Sequence, residues 1–153
     1  MLGPKDLENY LKEKGVEFEL KYHEETYSAG KASQVLGIAI SDIIKSLLFM
    51  NEKGEPILVI VPGNKRVNQT QLANILGFKK LRLAREDEVI EHTGYEAGGI
   101  PPVGHKKKVT CLIDEEVMKK EYVYGGGGAV NTTLKIKPMD ILNLTEGKVM
   151  TIP

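Results

Sequence analysis

The chain has no tryptophan, one cysteine, three histidines and no net charge. A single cysteine excludes an intrachain disulfide framework and suits a reducing compartment. Cys111, His23, His92 and His105 are scattered without metal-ligand spacing, so neither a metal nor another cofactor is expected. Basic and acidic side chains balance at 21 each, which removes any bulk attraction to nucleic acid. Such a contact needs a local cationic patch. No apolar run approaches the roughly 20 residues that span a bilayer, and MLGPKDLENY lacks a signal-peptide apolar region. The expectation is a cytoplasmic protein without membrane contact. Its 153 residues, 41% hydrophobic and 27% charged, suit one domain over 1–153 with one sizeable core.

Glycine and proline are concentrated where they can matter. The stretch Thr93–Lys108, TGYEAGGIPPVGHKKK, packs four glycines and two prolines ahead of a basic run. Glycine lets a ligand approach the main chain, and a Pro-Pro pair holds a loop stiff and extended. Gly/Pro clusters are often plain crossovers between strands. Here the density of both residue types and the cationic tail favour a binding loop. A second cluster, Gly125–Gly128, signals a sharp turn, a bulge or another place where a ligand meets backbone.

The apolar periodicity gives the remaining elements. Leu7, Tyr10 and Leu11 form a helical stripe between Pro4 and Gly15. Val16 to Tyr22 alternates as a half-buried strand. Ser28 caps a helix with Ala32, Val35 and Leu36 inward, and Gly37 ends it. Asp42 to Met50 and Pro56 to Val61 read as an antiparallel hairpin. A helix from Asn68 through Leu76, a strand at Leu81–Leu83 and a helix at Arg85–His92 lead into the Gly/Pro loop. Strands at Val109–Ile113, Tyr122–Tyr124, Leu134–Ile136 and Val149–Ile152 follow, with a helical turn capped by Asp114 and a helix at Pro138–Leu142. Cys111 alternates with Val109 and Ile113, which makes it a core residue and not a nucleophile. The fold class is α+β, a mixed α/β single domain.

Lys45 is the anomaly in this pattern. It shares a strand face with Ile43, Leu47 and Phe49. A buried ammonium needs a partner or a polar cavity, while a terminal one can snorkel to water. The face pattern leaves both open.

Together, IIKSLLF at 43–49, TGYxxGGIPPVGxKKK at 93–108 and the glycine turn with a following strand and KPMDIL at 137–142 resemble the YbaK family. That family comprises YbaK/ProX-type aminoacyl-tRNA deacylases and the editing domain inserted in bacterial prolyl-tRNA synthetases. The resemblance covers nearly the whole chain. It implies hydrolysis of a mischarged aminoacyl ester at a tRNA 3′ end, commonly Ala- or Cys-tRNA(Pro). It also implies a mixed β-sheet curled into a partial barrel and flanked by short helices. By the same resemblance Lys45 is the residue most important for activity. Gly98, Gly99, Ile100, Pro101, Pro102, Val103 and Gly104 would contribute contacts around the aminoacyl group, with Gly126 in the glycine turn and Asp140 beside the pocket. The partners implied are aminoacylated tRNA and prolyl-tRNA synthetase. Two departures bear on which amino acid is removed: no histidine stands near the glycine turn, and Tyr124 replaces a serine found in some relatives.

An aminoacyl ester is already activated, so a protein can hydrolyse it by position and electrostatics without its own nucleophile. No Ser-His-Asp set is discernible. Lys106 and Lys107, directly beyond the loop, are the expected phosphate contacts; Lys65-Arg66 and Lys79-Lys80 have no tie to the pocket in the sequence. The alternatives are a non-catalytic module that binds aminoacyl-tRNA or a synthetase, and a small-molecule amidase or esterase.

Overall fold

The computed structural model describes residues 1–153. Helix α1 (Pro4–Lys14) has proline in its first turn and ends at Gly15, whose φ of 69° is the left-handed conformation that glycine accepts without strain. Leu7 and Leu11 are buried from this helix. Strand β1 (Phe18–Tyr22) follows, then α2 (Ala29–Leu36), in which the Ser28 side chain accepts from the Lys31 N–H. The helix exists as its cap predicts, but none of its residues is fully buried. Instead of joining the core, it lies over a cavity, described below.

Strands β2 (Ile44–Asn51) and β3 (Pro56–Pro62) form the expected antiparallel hairpin, with Lys45 opposite Val61 and Phe49 opposite Ile57. The turn is tied by Asn51, whose Oδ1 accepts from the N–H groups of Lys53 and Glu55. Helix α3 (Gln69–Leu76), strand β4 (Leu81–Leu83) and helix α4 (Glu86–Thr93) come next. A one-turn 3-10 helix at Ala97–Gly99 then opens the Gly/Pro loop. Strand β5 (Thr110–Asp114), α5 (Glu115–Met118), β6 (Val123–Gly126), β7 (Thr132–Ile136), α6 (Pro138–Thr145) and β8 (Lys148–Met150) complete the chain.

The expected single curled sheet is in fact two sheets. One is antiparallel, in the order β1-β7-β6; the other is mixed, in the order β4-β2-β3-β5-β8. They meet at one isolated parallel bridge, Ile43 to Tyr124, so no barrel closes. The parallel pairs β3-β5 and β5-β8 account for the mixed character. A larger core of 18 residues, including Leu7, Ile44, Leu58, Val103, Leu134 and Ile141, lies between the two sheets and α1. A second, of nine residues around Phe49, Val59, Val61 and Leu72, lies under α3.

Strand β2 creates the site. On one side it pairs with β3 along its length. On the other it pairs with β4 only from Phe49 to Asn51 and meets β6 only through the Ile43 bridge. From Lys45 to Leu47 that side has no strand partner. These three residues stay half-buried while Leu48, Phe49 and Met50 are almost completely enclosed.

Candidate active site at the seam of two sheets

A cavity of about 220 Å³ occupies the gap. Ile43 to Leu47 form one wall and Tyr124, Gly125, Gly126, Thr132 and Thr133 the facing one. Gly98 and Ile100 close one end, while Thr26 to Ala29 and Ala32, at the start of α2, overhang the mouth.

Lys45 lines this cavity, which decides between the two readings of its strand face. Its pKa is held below the ordinary lysine value of 10.5, first by burial and then by repulsion from Arg66. No carboxylate contributes to that shift, so an unneutralised ammonium faces the cavity. Arg66 reaches this neighbourhood because the turn after β3 folds back on the start of β2, where the Gly63 N–H donates to the Ile43 carbonyl at 2.6 Å.

The glycines set the walls through contact between backbones. A Cβ on Gly126 would lie 2.1 Å from the Ile100 carbonyl oxygen, and one on Gly99 would lie 2.6 Å from the Ala129 backbone. The Gly128 N–H donates to the Gly99 carbonyl at 2.9 Å. The two glycine clusters are therefore pressed against one another, and only glycine permits that approach.

The seven loop residues expected at the substrate divide in two. Gly98 and Ile100 line the cavity. Gly99 is buried against Ala129, and Pro101, Pro102 and Val103 are buried away from the cavity, Val103 within the larger core. Gly104 turns at φ 77° against the Tyr10 ring. The stiff half of the loop is thus an anchor, secured further by the His105 Nε2–H donating to the Pro101 carbonyl at 2.6 Å. Burial keeps the His105 pKa below its ordinary value.

Asp140 does not line the cavity. Pro138 and Ile141 are the buried residues of α6, leaving Asp140 on its solvent side near Lys137. Lys106 and Lys107 also lie outside the cavity, with their N–H groups donating to the carbonyls of Thr93 and His92. The Lys107 ammonium is 3.9 Å from Glu91, and Lys108 pairs with Glu146. Cys111 is buried and its thiol is pushed up to about 11 by desolvation, as befits a core residue.

His23, which shows no metal-ligand spacing in the sequence, contributes to the site through a hydrogen bond. Its Nδ1 lies 2.6 Å from the Glu24 carbonyl, which can only accept, so Nδ1 carries the proton. In the neutral ring Nε2 is then an acceptor, and the Thr133 hydroxyl, 2.8 Å away, donates to it. Thr133 lines the cavity, so the oxygen lone pairs remaining there can accept a hydrogen bond from a ligand or water. No group of three or more His, Cys, Asp and Glu side chains is arranged to hold a metal ion.

The model of the aminoacyl-tRNA editing domain matches residues 23–144, from His23 into α6. The chain belongs to the aminoacyl-tRNA editing domain family. This match takes in every cavity-lining residue of the editing domain. A protein of Enterococcus faecalis named as a candidate Cys-tRNA(Pro)/Cys-tRNA(Cys) deacylase, EbsC, is 30% identical over 132 residues, 86% of this chain and 80% of that one. Proline–tRNA ligase of Limosilactobacillus fermentum is 33% identical over 95 residues, 60% of this chain but 17% of the ligase. A crystal structure described as a candidate trans-editing enzyme for prolyl-tRNA synthetase superposes with a TM-score of 0.88 at 30% identity, covering 97% of this chain and 95% of that one. No helix of the editing domain is long and apolar enough to cross a membrane.

Proposed function

We propose that the protein is a trans-editing hydrolase that removes a small mischarged amino acid, cysteine or alanine, from tRNA(Pro). The observation that carries this reading is the unneutralised Lys45 ammonium facing a glycine-walled cavity in an editing-domain fold. The E. faecalis relative's name supports cysteine as the acyl group. The ester would enter between the walls, with its carbonyl or the terminal phosphate near Lys45. A fixed cation can stabilise charge that develops as water adds to the carbonyl. Thr133 Oγ1, its own hydrogen directed at His23, offers the attacking water an acceptor. The vicinal ribose hydroxyl assists, and the ester C–O bond breaks to release the free amino acid and tRNA. Gly98, Ile100 and Gly126 shape the acyl pocket; Gly99, Pro101, Pro102 and Val103 hold that shape from behind.

Selectivity follows from volume. One methylene in such a pocket is worth about 1–3 kcal/mol, which favours small acyl groups without separating them sharply. On this reading the protein works in the cytoplasm, with prolyl-tRNA synthetase as the source of its mischarged substrate. The test is a deacylation panel with tRNA(Pro) carrying Cys, Ala, Ser or Pro. The expected result is rapid loss of Cys or Ala and sparing of Pro. Tight binding of these tRNAs without turnover of any of them would instead identify a non-catalytic module.

A further inference from the structure

The three-stranded sheet has one face in the larger core and one in solvent. Leu134 and Ile136 of β7 and Val123 of β6 point inward and are fully buried. Strand alternation therefore turns Lys135 outward, level with Tyr124 on β6 and Glu19 on β1. The next row toward the cavity is Gly126, Thr133 and Lys21. Tyr122 and Lys137 extend the same face the other way.

These side chains form a ladder of rings and ammonium groups. Lys135 Nζ lies 4.5 Å from the Tyr122 ring centroid and 6.0 Å from that of Tyr124. Lys21 Nζ is 5.7 Å from Tyr124, and Lys137 Nζ is 5.9 Å from Tyr122. Two carboxylates are present, Glu19 at 3.5 Å from Lys135 and Glu17 at 3.5 Å from Lys137. Both carboxylates are exposed, Glu19 on β1 and Glu17 just before it, and such pairs are weak and displaceable. Lys21 has no carboxylate within salt-bridge distance. The ladder is continuous with the cavity, because Tyr124, Thr133 and Gly126 belong to both.

Resting on the deacylase reading, we propose that this sheet face carries the single-stranded 3′ end of the tRNA into the cavity. Its phosphates follow Lys21, Lys135 and Lys137, and an unpaired base stacks on Tyr122. Alternating aromatic and cationic groups on an open surface suit single-stranded nucleic acid, whose bases offer π-faces that a duplex hides. The rival cationic run at Lys106–Lys108 shares no residue with the lining of this cavity.

Fluorescence anisotropy with uncharged tRNA, a short single-stranded RNA ending in CCA and a blunt RNA duplex tests this. Uncharged probes read the surface whether or not any ester is hydrolysed, so failure here and failure of the deacylase reading are distinguishable. The Lys135→Gln/Lys137→Gln variant should weaken binding of tRNA and CCA RNA and lower the salt slope by about 0.7 per lost phosphate contact. Tyr122→Ala should weaken CCA binding by about five- to a hundredfold, and Tyr122→Phe should restore it, because the ring does the stacking. Lys21→Glu, at an exposed position, keeps the test valid should the double variant misfold; it too should weaken binding. Unchanged affinity in Lys21→Glu, equal binding of the blunt duplex, or a salt slope that follows a Lys106→Ala/Lys107→Ala variant instead would overturn the proposal.

Discussion

Replacing Lys45 with methionine separates what this residue does for activity from what it does to stability. Methionine keeps a long unbranched stem and removes the charge. Lys45 has no compensating carboxylate, and both causes of its shift, burial and repulsion by Arg66, oppose its charged form. Its folded pKa is therefore below the unfolded one, and between the two values the unfolded chain binds more protons. Stability then rises with pH as it climbs through that window toward 10.5, and the full cost of the buried charge is present below it, including at neutral pH. Lys45→Met removes that cost. Volume-conserving changes of this kind typically cost less than about 1.5 kcal/mol, and here relief of the charge offsets the loss. The variant should match or exceed the wild type in denaturant midpoint at pH 7, with the difference narrowing at alkaline pH.

Activity should move in the opposite direction. A fixed donor aimed at developing charge is worth roughly 10²–10³ in kcat, or about 2.7–4 kcal/mol of barrier. Lys45→Arg should not restore it, because a guanidinium is larger and less compact than an ammonium and would sit beside Arg66. Single-turnover deacylation of Cys-tRNA(Pro) alongside urea unfolding reads both quantities on one preparation. Wild-type turnover in Lys45→Met, or a loss of stability well beyond 1.5 kcal/mol, would refute the reasoning.

Three more expectations follow from the same geometry. Gly126→Ala puts a Cβ 2.1 Å from the Ile100 carbonyl oxygen, so the two walls must part; overpacking of this kind costs about 1–3 kcal/mol, and both unfolding midpoint and deacylation rate should fall. Thr133→Val removes the acceptor that His23 orients, whereas Thr133→Ser keeps it; deacylation should drop in the first and be largely retained in the second, and equal rates would exclude a role for the hydroxyl. Glu88 is held at about 2 by hydrogen bonds from the Arg82 guanidinium and the Arg85 N–H, so its stabilisation is present above its ordinary 4.5 and is lost as pH falls from there toward 2. Acid titration of wild type against Glu88→Gln should show that loss only in the wild type.

Local chemistry was legible in the sequence wherever one segment sufficed. Pro4, Gly15, Ser28, Gly37, Asn68 and Gly77 mark helix ends where the structure has them, because caps act on neighbouring backbone groups. What pairing strands decide was not legible. Ala32, Val35 and Leu36 have the spacing of a buried stripe, yet α2 covers a cavity and remains half-exposed. The glycines of the Gly/Pro loop and of the glycine turn each looked like places for a ligand, whereas Gly99 and Gly126 chiefly admit the other segment's backbone. His23 and Thr133 stand 110 residues apart, and no spacing rule connects them; antiparallel pairing of β1 with β7 does.

The location of the cavity has a physical logic that constrains how such a site can be built. A strand in mid-sheet normally has both edges paired, since unpaired backbone groups away from water are costly. Strand β2 leaves Lys45 to Leu47 without a strand partner on one side, and at that place its residues turn from enclosed to half-buried. Extending the pairing of β6 along β2 to fill the gap would join the two sheets along a continuous ladder and remove the cavity. The glycines fix where β6 lies: Gly125 admits the Ile44 side chain so closely that a Cβ would come within 2.9 Å of it, and Gly126 is held against Ile100. The strand that could complete the sheet is therefore drawn toward the Gly/Pro loop instead. Behind the opening at Lys45 the anchored half of that loop, Pro101 to Val103, is buried, with Val103 in the larger core, and this ties the cavity-lining Gly98 and Ile100 to the interior.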